Sequence, residues 1–162
     1  MYFLPSLKQS GHLEMLHLTL AFIGSRKLEN SYEDYNEWTS SFAPYLSIYG
    51  FDADKTACDK TNAENASRKL NWFEKHYPFG LWSSSGKKTL YLTAHPGCSS
   101  LYPPSAAYLQ RYSTHQAMMK VERTVEAEVT TLDEFCTQEE IREIDHIQID
   151  VQGAALRMPC GH

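Results

Sequence analysis

The end of the chain carries the residues best placed to do chemistry. A short apolar strand is predicted over His146–Asp150, and it delivers the carboxylate of Asp150 onto a turn that contains Gly153. Ligands of open α/β sheets bind in the crevice beyond the carboxyl ends of the strands, where a carboxylate can accept a proton or orient a hydroxyl group. The structural alternative is that an aspartate at a strand end caps the helix that follows.

A second carboxylate, that of Asp52, follows an apolar strand predicted over Leu46–Phe51. Nucleotide-binding folds place an acid at this position, because a carboxylate accepts hydrogen bonds from both hydroxyls of a ribose. The usual partner is a glycine-rich turn after the first strand, where the backbone approaches the ligand closely. Here the turn Ile23–Lys27 contains only one glycine, Gly24. The position of Asp52 favours a nucleotide site, for which the single glycine is a weak signal.

Composition limits the class of protein and its partners. A length of 162 residues with 42% hydrophobic content fits a globular domain with a sizeable core. The formal net charge of -5 predicts neither a nucleic-acid partner nor an anionic membrane partner. The seven histidines are scattered without metal-ligand spacing, so no metal site is predicted.

Cysteine usage and the N-terminus bear on the location. The chain has 4 cysteines that are far apart and form no Cys-x-x-Cys pair, namely Cys58, Cys98, Cys136 and Cys160. This pattern favours free thiols in a reducing compartment. The first residues lack the long apolar core of a signal peptide, and no apolar run reaches membrane-spanning length. A cytoplasmic location is the default expectation.

Apolar runs and alternation predict the strands that would position the two acids. Strands are predicted over Leu16–Gly24, Leu46–Phe51, Phe79–Trp82 and His146–Asp150. The first is nearly all apolar, which suits a strand that is buried on both faces. Continuous apolar runs of this length are typical of a parallel sheet. Thr89–Thr93 and Thr124–Val129 alternate instead, which predicts an antiparallel pair at the sheet edge or in an insertion.

Helical patterns lie between these strands. A weakly helical polar segment spans Leu28–Ala43, and Thr131–Glu134 has the form of a capping box. An amphipathic helix is predicted with Ala63, Ala66, Leu70 and Phe73 toward the core, and with Lys60, Asn62, Asn65 and Lys69 outward. The alternation of strands and helices predicts an α/β fold with right-handed crossovers.

Two motifs carry a resemblance to a known family. Residues Thr130–Leu156, which read TTLDEFCTQEEIREIDHIQIDVQGAAL, resemble the signature of the FkbM-family methyltransferases. Members of that family carry a TLDxF run and then a strand of the form IDFIKIDxQGAEL. The segment Pro96–Pro104, with its Pro-Gly-Cys-Ser-Ser run, resembles a loop found in one branch of the family. The resemblance covers most of the chain from about Leu16 onward.

The resemblance implies a fold and a domain organisation. The expected fold is a Rossmann-like class I methyltransferase sheet, mainly parallel, with an antiparallel hairpin insertion and with the C-terminal strands missing. Residues 1–15 would form an N-terminal extension, and residues 16–162 a partial FkbM-type domain truncated after the fourth core strand. An exposed strand edge at that point would favour self-association.

The resemblance also implies an activity and a set of roles. The family uses S-adenosylmethionine and usually methylates oxygen, which implies a small-molecule or glycan acceptor. Gly24 and Ser25 would flank the methionine end of the cofactor, and Asp52 would hold the ribose. Leu81 and Trp82 would lie near the adenine, and Asp150 would lie close to the methyl group.

Departures from the family pattern define the alternative function. Phe22 stands where the family has an acid, and Arg26 and Lys27 stand where further glycines are expected. Near the end, Gln148 replaces a lysine, and Pro159 falls in a segment expected to be helical. The alternative is a non-catalytic remnant or binding module that retains the cofactor-binding half of the fold.

Overall fold

Two sheets organise residues 3–27 and 33–155, the part of the chain that the computed structural model describes. The elements in chain order are α1 (Phe3–Gln9), β1 (Leu18–Ile23), α2 (Glu33–Phe42), β2 (Leu46–Phe51), α3 (Lys55–Ser67), β3 (Phe73–Tyr77), β4 (Gly80–Leu81), β5 (Gly86–Thr93), a 3-10 turn (Pro96–Cys98), α4 (Ala106–Leu109), α5 (Ser113–Met118), β6 (Val121–Thr130), α6 (Leu132–Gln138) and β7 (His146–Ile149). Leu28, Pro159 and Cys160, on which sequence interpretations rested, lie outside the described residues.

The larger sheet has the strand order β3-β2-β1-β7, and all of its pairs are parallel. Both faces are buried, since Leu20 and Phe22 pack into one apolar cluster while Ala21 and Ile23 pack into another. This explains why the strand sequence is a continuous apolar run. The predicted α/β fold with a mainly parallel sheet is confirmed. The carboxyl ends of β1, β2 and β7 meet at one edge of the sheet.

The smaller sheet has the order β4-β6-β5. β5 and β6 pair antiparallel, with Gly86 opposite Val129, as their alternating sequences predict. The connection between them is not a tight turn, because it contains the 3-10 turn, α4 and α5. Leu90 and Leu92 of β5 pack with Ala53, the second residue after β2. The smaller sheet therefore packs beside the carboxyl end of β2.

The strand predicted over Phe79–Trp82 is present as β4, but its predicted place in the parallel sheet is wrong. The third strand of the parallel sheet is β3, Phe73–Tyr77, whereas Gly80 and Leu81 pair with β6 in the smaller sheet. β3 was missed because it carries Glu74 and His76, whose side chains are buried in a hydrogen-bonded charge network and not in an apolar core. Apolar patterning does not detect such a strand.

The predicted inner face of the third helix is also wrong. α3 ends at Ser67 and buries Cys58, Thr61 and Asn65, while Ala63 and Ala66 are exposed. The reason is that α3 packs against the polar strand β3. Asn62 donates to the His76 carbonyl at 2.7 Å and accepts from the His76 N–H at 2.8 Å, so a helix side chain satisfies the outer strand. Leu70 and Phe73 lie beyond the helix, and Phe73 is exposed.

Three further expectations concern the start of α6, membrane-spanning helices and the β7 edge of the larger sheet. Half of the predicted capping box forms, since the Thr131 hydroxyl accepts from the Glu134 N–H at 3.0 Å. No helix in residues 3–27 and 33–155 is long and apolar enough to cross a membrane. β7 pairs with β1 and with no other described strand, so it forms one edge of the larger sheet. Self-association through this edge stays a prediction.

Candidate functional site

A cavity of about 240 Å³ opens at the carboxyl ends of β1, β2 and β7. Four of the predicted site residues line it: Gly24, Asp52, Leu81 and Asp150. The segment from His95 to Leu101, between β5 and β6, completes the lining together with Met118. The cavity therefore lies where an open parallel sheet binds its ligands.

Gly24 begins the turn that forms the floor of the cavity. Its φ is +80°, and a Cβ at this position would lie 1.9 Å from the Asp150 carbonyl oxygen. The N–H groups of Gly24 and Ser25 both donate to the Phe51 carbonyl, at 2.8 and 2.9 Å. The Asp150 N–H donates to the Ile23 carbonyl at 2.8 Å. The ends of all three strands are thus held together at a point where only glycine fits.

Asp52 presents a half-buried carboxylate to the cavity. Its Oδ1 accepts from the Asp54 N–H at 2.8 Å, and its Oδ2 lies 3.8 Å from the Arg26 Nε. Burial raises the pKa of Asp52, while the Asp54 N–H and the Arg26 charge act in the opposite direction. The carboxylate keeps lone pairs for a ligand that donates two hydrogen bonds, such as a ribose.

Arg26 enters the same cavity from the turn after β1. Its guanidinium pairs with Asp54 and donates from Nη1 to the Pro96 carbonyl at 3.3 Å. Sequence analysis identified Arg26 only as a departure from a glycine-rich turn. Its position in the site could not be predicted, because it depends on Asp54 and Pro96 coming together in three dimensions.

Asp150 lies at the rim of the cavity and is exposed. Its carboxylate has no hydrogen-bond or ion-pair partner among residues 3–27 and 33–155. Residues 151–154, which follow it directly, are not helical. The alternative of a helix cap therefore finds no support there. An exposed, unpartnered carboxylate beside a cavity is available to a ligand hydroxyl.

Two of the predicted site residues do not line the cavity. The Ser25 side chain turns inward, and its Oγ lies 2.8 Å from the Nδ1 of His76. Trp82 is buried against Tyr102 at a ring distance of 5.4 Å, and the Lys88 ammonium lies 4.2 Å from its ring centroid. Direct contact with a cofactor stays a prediction.

A buried chain of polar side chains runs behind the Gly24 turn. Ser25 contacts His76, the His76 Nε2 lies 3.0 Å from the Glu74 Oε1, and Lys27 pairs with the same carboxylate oxygen. Trp72 donates to the other oxygen of Glu74 at 2.9 Å. Residues on both sides of Arg26 are therefore fixed to β3. The network holds the turn so that Arg26 projects into the cavity.

The connection between β5 and β6 supplies a second wall. His95 and Cys98 line the cavity, with the Cys98 Sγ 3.9 Å from the His95 Nδ1. Burial raises the pKa of Cys98, so its thiol is protonated at neutral pH and is a poor nucleophile. Ser100 donates to the Gln152 carbonyl at 2.6 Å and ties this wall to the segment after β7. Within the described residues, no group of three acidic, histidine or cysteine side chains is arranged to hold a metal ion.

Comparison with known families agrees with the motifs and the sheet. The family model of the methyltransferase FkbM domain matches residues 31–158. The chain belongs to this family. No curated protein and no solved structure matches the chain significantly.

The family match confirms the resemblance and the fold that it implied. The FkbM methyltransferase match contains Asp52, Leu81, Trp82 and Asp150 and begins after Gly24 and Ser25. Phe22 and Arg26, where the sequence departs from the family pattern, also precede it. The structure nevertheless pairs β1 with β2 and β7 in register, and it brings Gly24 into the cavity.

We expect Asp52→Asn to stabilise the ligand-free FkbM domain. Because burial raises the pKa of Asp52 in the folded state, the ionised carboxylate costs folding free energy at neutral pH. Asparagine retains the oxygen that accepts from Asp54, so the melting temperature should rise by a few degrees. This rise in melting temperature should disappear below pH 3.8, the ordinary pKa of an aspartate, where Asp52 is protonated in both the folded and the unfolded state. Thermal unfolding at neutral and acid pH measures this.

The matched control is Asp59→Asn, which removes an exposed carboxylate from α3. We expect it to leave the melting temperature within about 1 °C of the wild type at neutral pH, because surface ion pairs contribute little. A lower melting temperature for Asp52→Asn than for the wild type would contradict the role assigned to burial.

Proposed function

We propose that this FkbM domain binds S-adenosylmethionine and transfers its methyl group to an oxygen of a small molecule or glycan. Membership of a methyltransferase family supports the transfer reaction. The observation that carries the proposal for the cofactor is the cavity, since Gly24, Asp52 and Asp150 lie around one space at the carboxyl ends of three parallel strands. The site has the place and the groups that a nucleoside cofactor needs.

The residues present fit the parts of this cofactor. Asp52 can accept hydrogen bonds from both ribose hydroxyls, and Phe51, Leu81 and Leu90 offer apolar surface for an adenine. Gly24, which has no side chain, lets the backbone approach the amino-acid half. Three carboxylates, those of Asp52, Asp54 and Asp150, favour a ligand that carries a sulfonium cation. When bound, the cofactor supplies an electrophilic methyl group.

Positioning and proton acceptance are the tasks left to the protein. Alignment of an acceptor hydroxyl with the methyl group supplies much of the rate, and the acceptor must lose its proton as the new bond forms. Asp150 is suited to this role because its exposed carboxylate has no partner among residues 3–27 and 33–155. The cavity wall from His95 to Leu101 would then face the acceptor.

Asp150→Asn tests this role directly. Because the amide cannot accept the proton, we expect methyl transfer to fall by about 10²–10⁴-fold. Affinity for S-adenosylhomocysteine should stay within about threefold of the wild type, because an exposed side chain contributes little to holding the turn. Transfer of a labelled methyl group to a panel of hydroxyl compounds and glycans measures the first quantity. Asp59→Asn is the control, and full turnover by Asp150→Asn would exclude the proposed role.

A binding module without turnover is the second candidate function. It is favoured by the placement of Arg26, whose Nε lies 3.8 Å from the Asp52 carboxylate at the position proposed for the ribose. It is also favoured by a family match that begins after the Gly24 turn. Cofactor binding without methyl transfer to any acceptor in the same panel would support this second function over the first.

A further inference from the structure

Arg26 is the only lysine or arginine among the described residues that line the cavity. We propose that Arg26 binds the carboxylate of the amino-acid half of the cofactor. The inference rests on the proposed function and extends it to a residue that departs from the family's glycine-rich pattern. It assigns recognition of an α-amino acid to a guanidinium group in place of the turn backbone.

The backbone of the turn is not available for this task. Backbone N–H groups at the end of the first strand commonly bind anions in nucleotide folds. Here the N–H groups of Gly24 and Ser25 both donate to the Phe51 carbonyl. The N–H of Arg26 is directed at the Asp52 carboxylate, where it opposes the rise in pKa that burial causes. An anionic ligand group beside this turn therefore needs a donor from a side chain.

The charges of the cavity lining also require a cationic side chain to bind a carboxylate. An α-amino acid carries a carboxylate as well as an ammonium group, and each is stable in a partly buried site only when it is paired. Asp52, Asp54 and Asp150 can pair with cations, and none of them can pair with a carboxylate unless it is protonated. Arg26 lies two residues after Gly24, and its side chain is only 15% exposed. Among the described residues that line the cavity, it is the lysine or arginine nearest to Gly24 in sequence.

The present contacts of Arg26 allow it to accept a carboxylate without losing its anchor. Its Nη2 pairs with Asp54, and its Nη1 makes a long hydrogen bond of 3.3 Å to the neutral Pro96 carbonyl. A guanidinium has five N–H donors in a planar fork. Exchange of the Pro96 oxygen for a carboxylate oxygen replaces a hydrogen bond to a neutral acceptor with an ion pair, and the planar guanidinium matches carboxylate geometry.

The opposing explanation is that Arg26 blocks the site by occupying Asp52. The two explanations predict opposite changes in ligand affinity when the Arg26 side chain is removed. They also differ in the part of the ligand that Arg26 affects. Carboxylate binding concerns only ligands that have the amino-acid half. Competition for Asp52 concerns every ligand that has the ribose.

Two probes separate these cases: S-adenosylhomocysteine and 5′-methylthioadenosine, which keeps the thioether nucleoside but lacks the amino-acid half. Both are titrated calorimetrically against the wild type, Arg26→Ala and Arg26→Lys. The matched control is Arg68→Ala, because Arg68 is exposed and caps the far end of α3, whose first turn adjoins the cavity. We expect Arg26→Ala to lose about 10–100-fold in affinity for S-adenosylhomocysteine, because it loses a hydrogen bond to a charged group.

The remaining results are expected as follows. Affinity for 5′-methylthioadenosine should change less than threefold, Arg26→Lys should recover part of the loss, and Arg68→Ala should match the wild type. Unchanged or tighter binding of S-adenosylhomocysteine by Arg26→Ala would overturn the inference while the proposed function stands. A folded wild type that binds neither probe would overturn the proposed function, and the inference with it.

Discussion

Gly24→Ala is expected to reduce the free energy of unfolding by about 4 kcal/mol or more, the range of exceptional single substitutions. The new Cβ would lie 1.9 Å from the Asp150 carbonyl oxygen, which is backbone and cannot rotate away. The φ of +80° adds a conformational penalty for any L side chain. Relief of the clash would separate β1 from the segment that carries Asp150. Chemical denaturation of the variant measures the loss.

Gly153→Ala is the matched control for this prediction. Its φ of +77° is nearly the same, but the nearest atom to its Cβ would be Tyr102 Cδ2 at 3.8 Å, an ordinary contact. We expect a loss of about 1 kcal/mol from the backbone conformation alone. The difference between the two variants isolates the close approach at Gly24. Equal losses would show that the contact with Asp150 does not matter.

Glu74→Gln is expected to reduce the free energy of unfolding by about 3 kcal/mol at neutral pH. The carboxylate is 2% exposed and its partner Lys27 is 10% exposed, so the neutral variant removes the negative charge that Glu74 places beside a buried ammonium. For a chain of this length, the loss corresponds to a fall in melting temperature of about 10 °C. The same change should also loosen the turn that carries Arg26, because Lys27 and Ser25 are both held through this network.

The effect of Glu74→Gln should depend on pH in a defined direction. Burial by itself would raise the pKa of Glu74, but hydrogen bonds from His76, Lys27 and Trp72 outweigh burial and hold the pKa far below its ordinary value of 4.5. A lowered folded-state pKa stabilises the fold above the ordinary value, and this contribution is lost as the pH falls below it. The gap in melting temperature between wild type and variant should therefore narrow below pH 4.5.

Glu126→Gln serves as the control for the network. Glu126 pairs with Lys87, but both side chains are exposed, at 66% and 60%. Ion pairs between exposed side chains contribute little, so we expect this variant to unfold at the same denaturant concentration as the wild type. If Glu74→Gln reduced the free energy of unfolding as little as this control does, the buried polar network around Glu74 would not be what holds the Gly24 turn.

The parts of the fold that follow from local sequence were predictable. β2 has the bounds Leu46–Phe51 that its apolar run predicts, and β1 and β7 lie within their predicted segments. β1 and β2 contribute to apolar clusters on both faces of the sheet, so the signal is in the strand itself, whereas β7 is only partly buried. β3 could not be found in this way. Its buried groups, Glu74 and His76, are satisfied by Lys27, Ser25 and Asn62, which come from distant parts of the chain.

The candidate site likewise has a part that local sequence predicts and a part that it does not. Strand-end reasoning identified Gly24, Asp52 and Asp150, since the ends of parallel strands meet at one edge whatever the loops do. Side-chain direction was not predictable. Ser25 turns toward His76, and Gly50 leaves the space for it, because a Cβ there would lie 2.7 Å from the Ser25 Oγ. Arg26, the next residue, turns the other way into the cavity.

Calorimetric titration with S-adenosylmethionine and S-adenosylhomocysteine tests the central claim most directly. We predict that the wild type binds both in the micromolar range and that Asp52→Asn, although more stable, binds them at least tenfold more weakly, because it loses the charged acceptor for the ribose hydroxyls. Asp59→Asn should bind as the wild type does. A folded wild type that binds neither compound, or an Asp52→Asn variant with undiminished affinity, would contradict a cofactor site at this cavity.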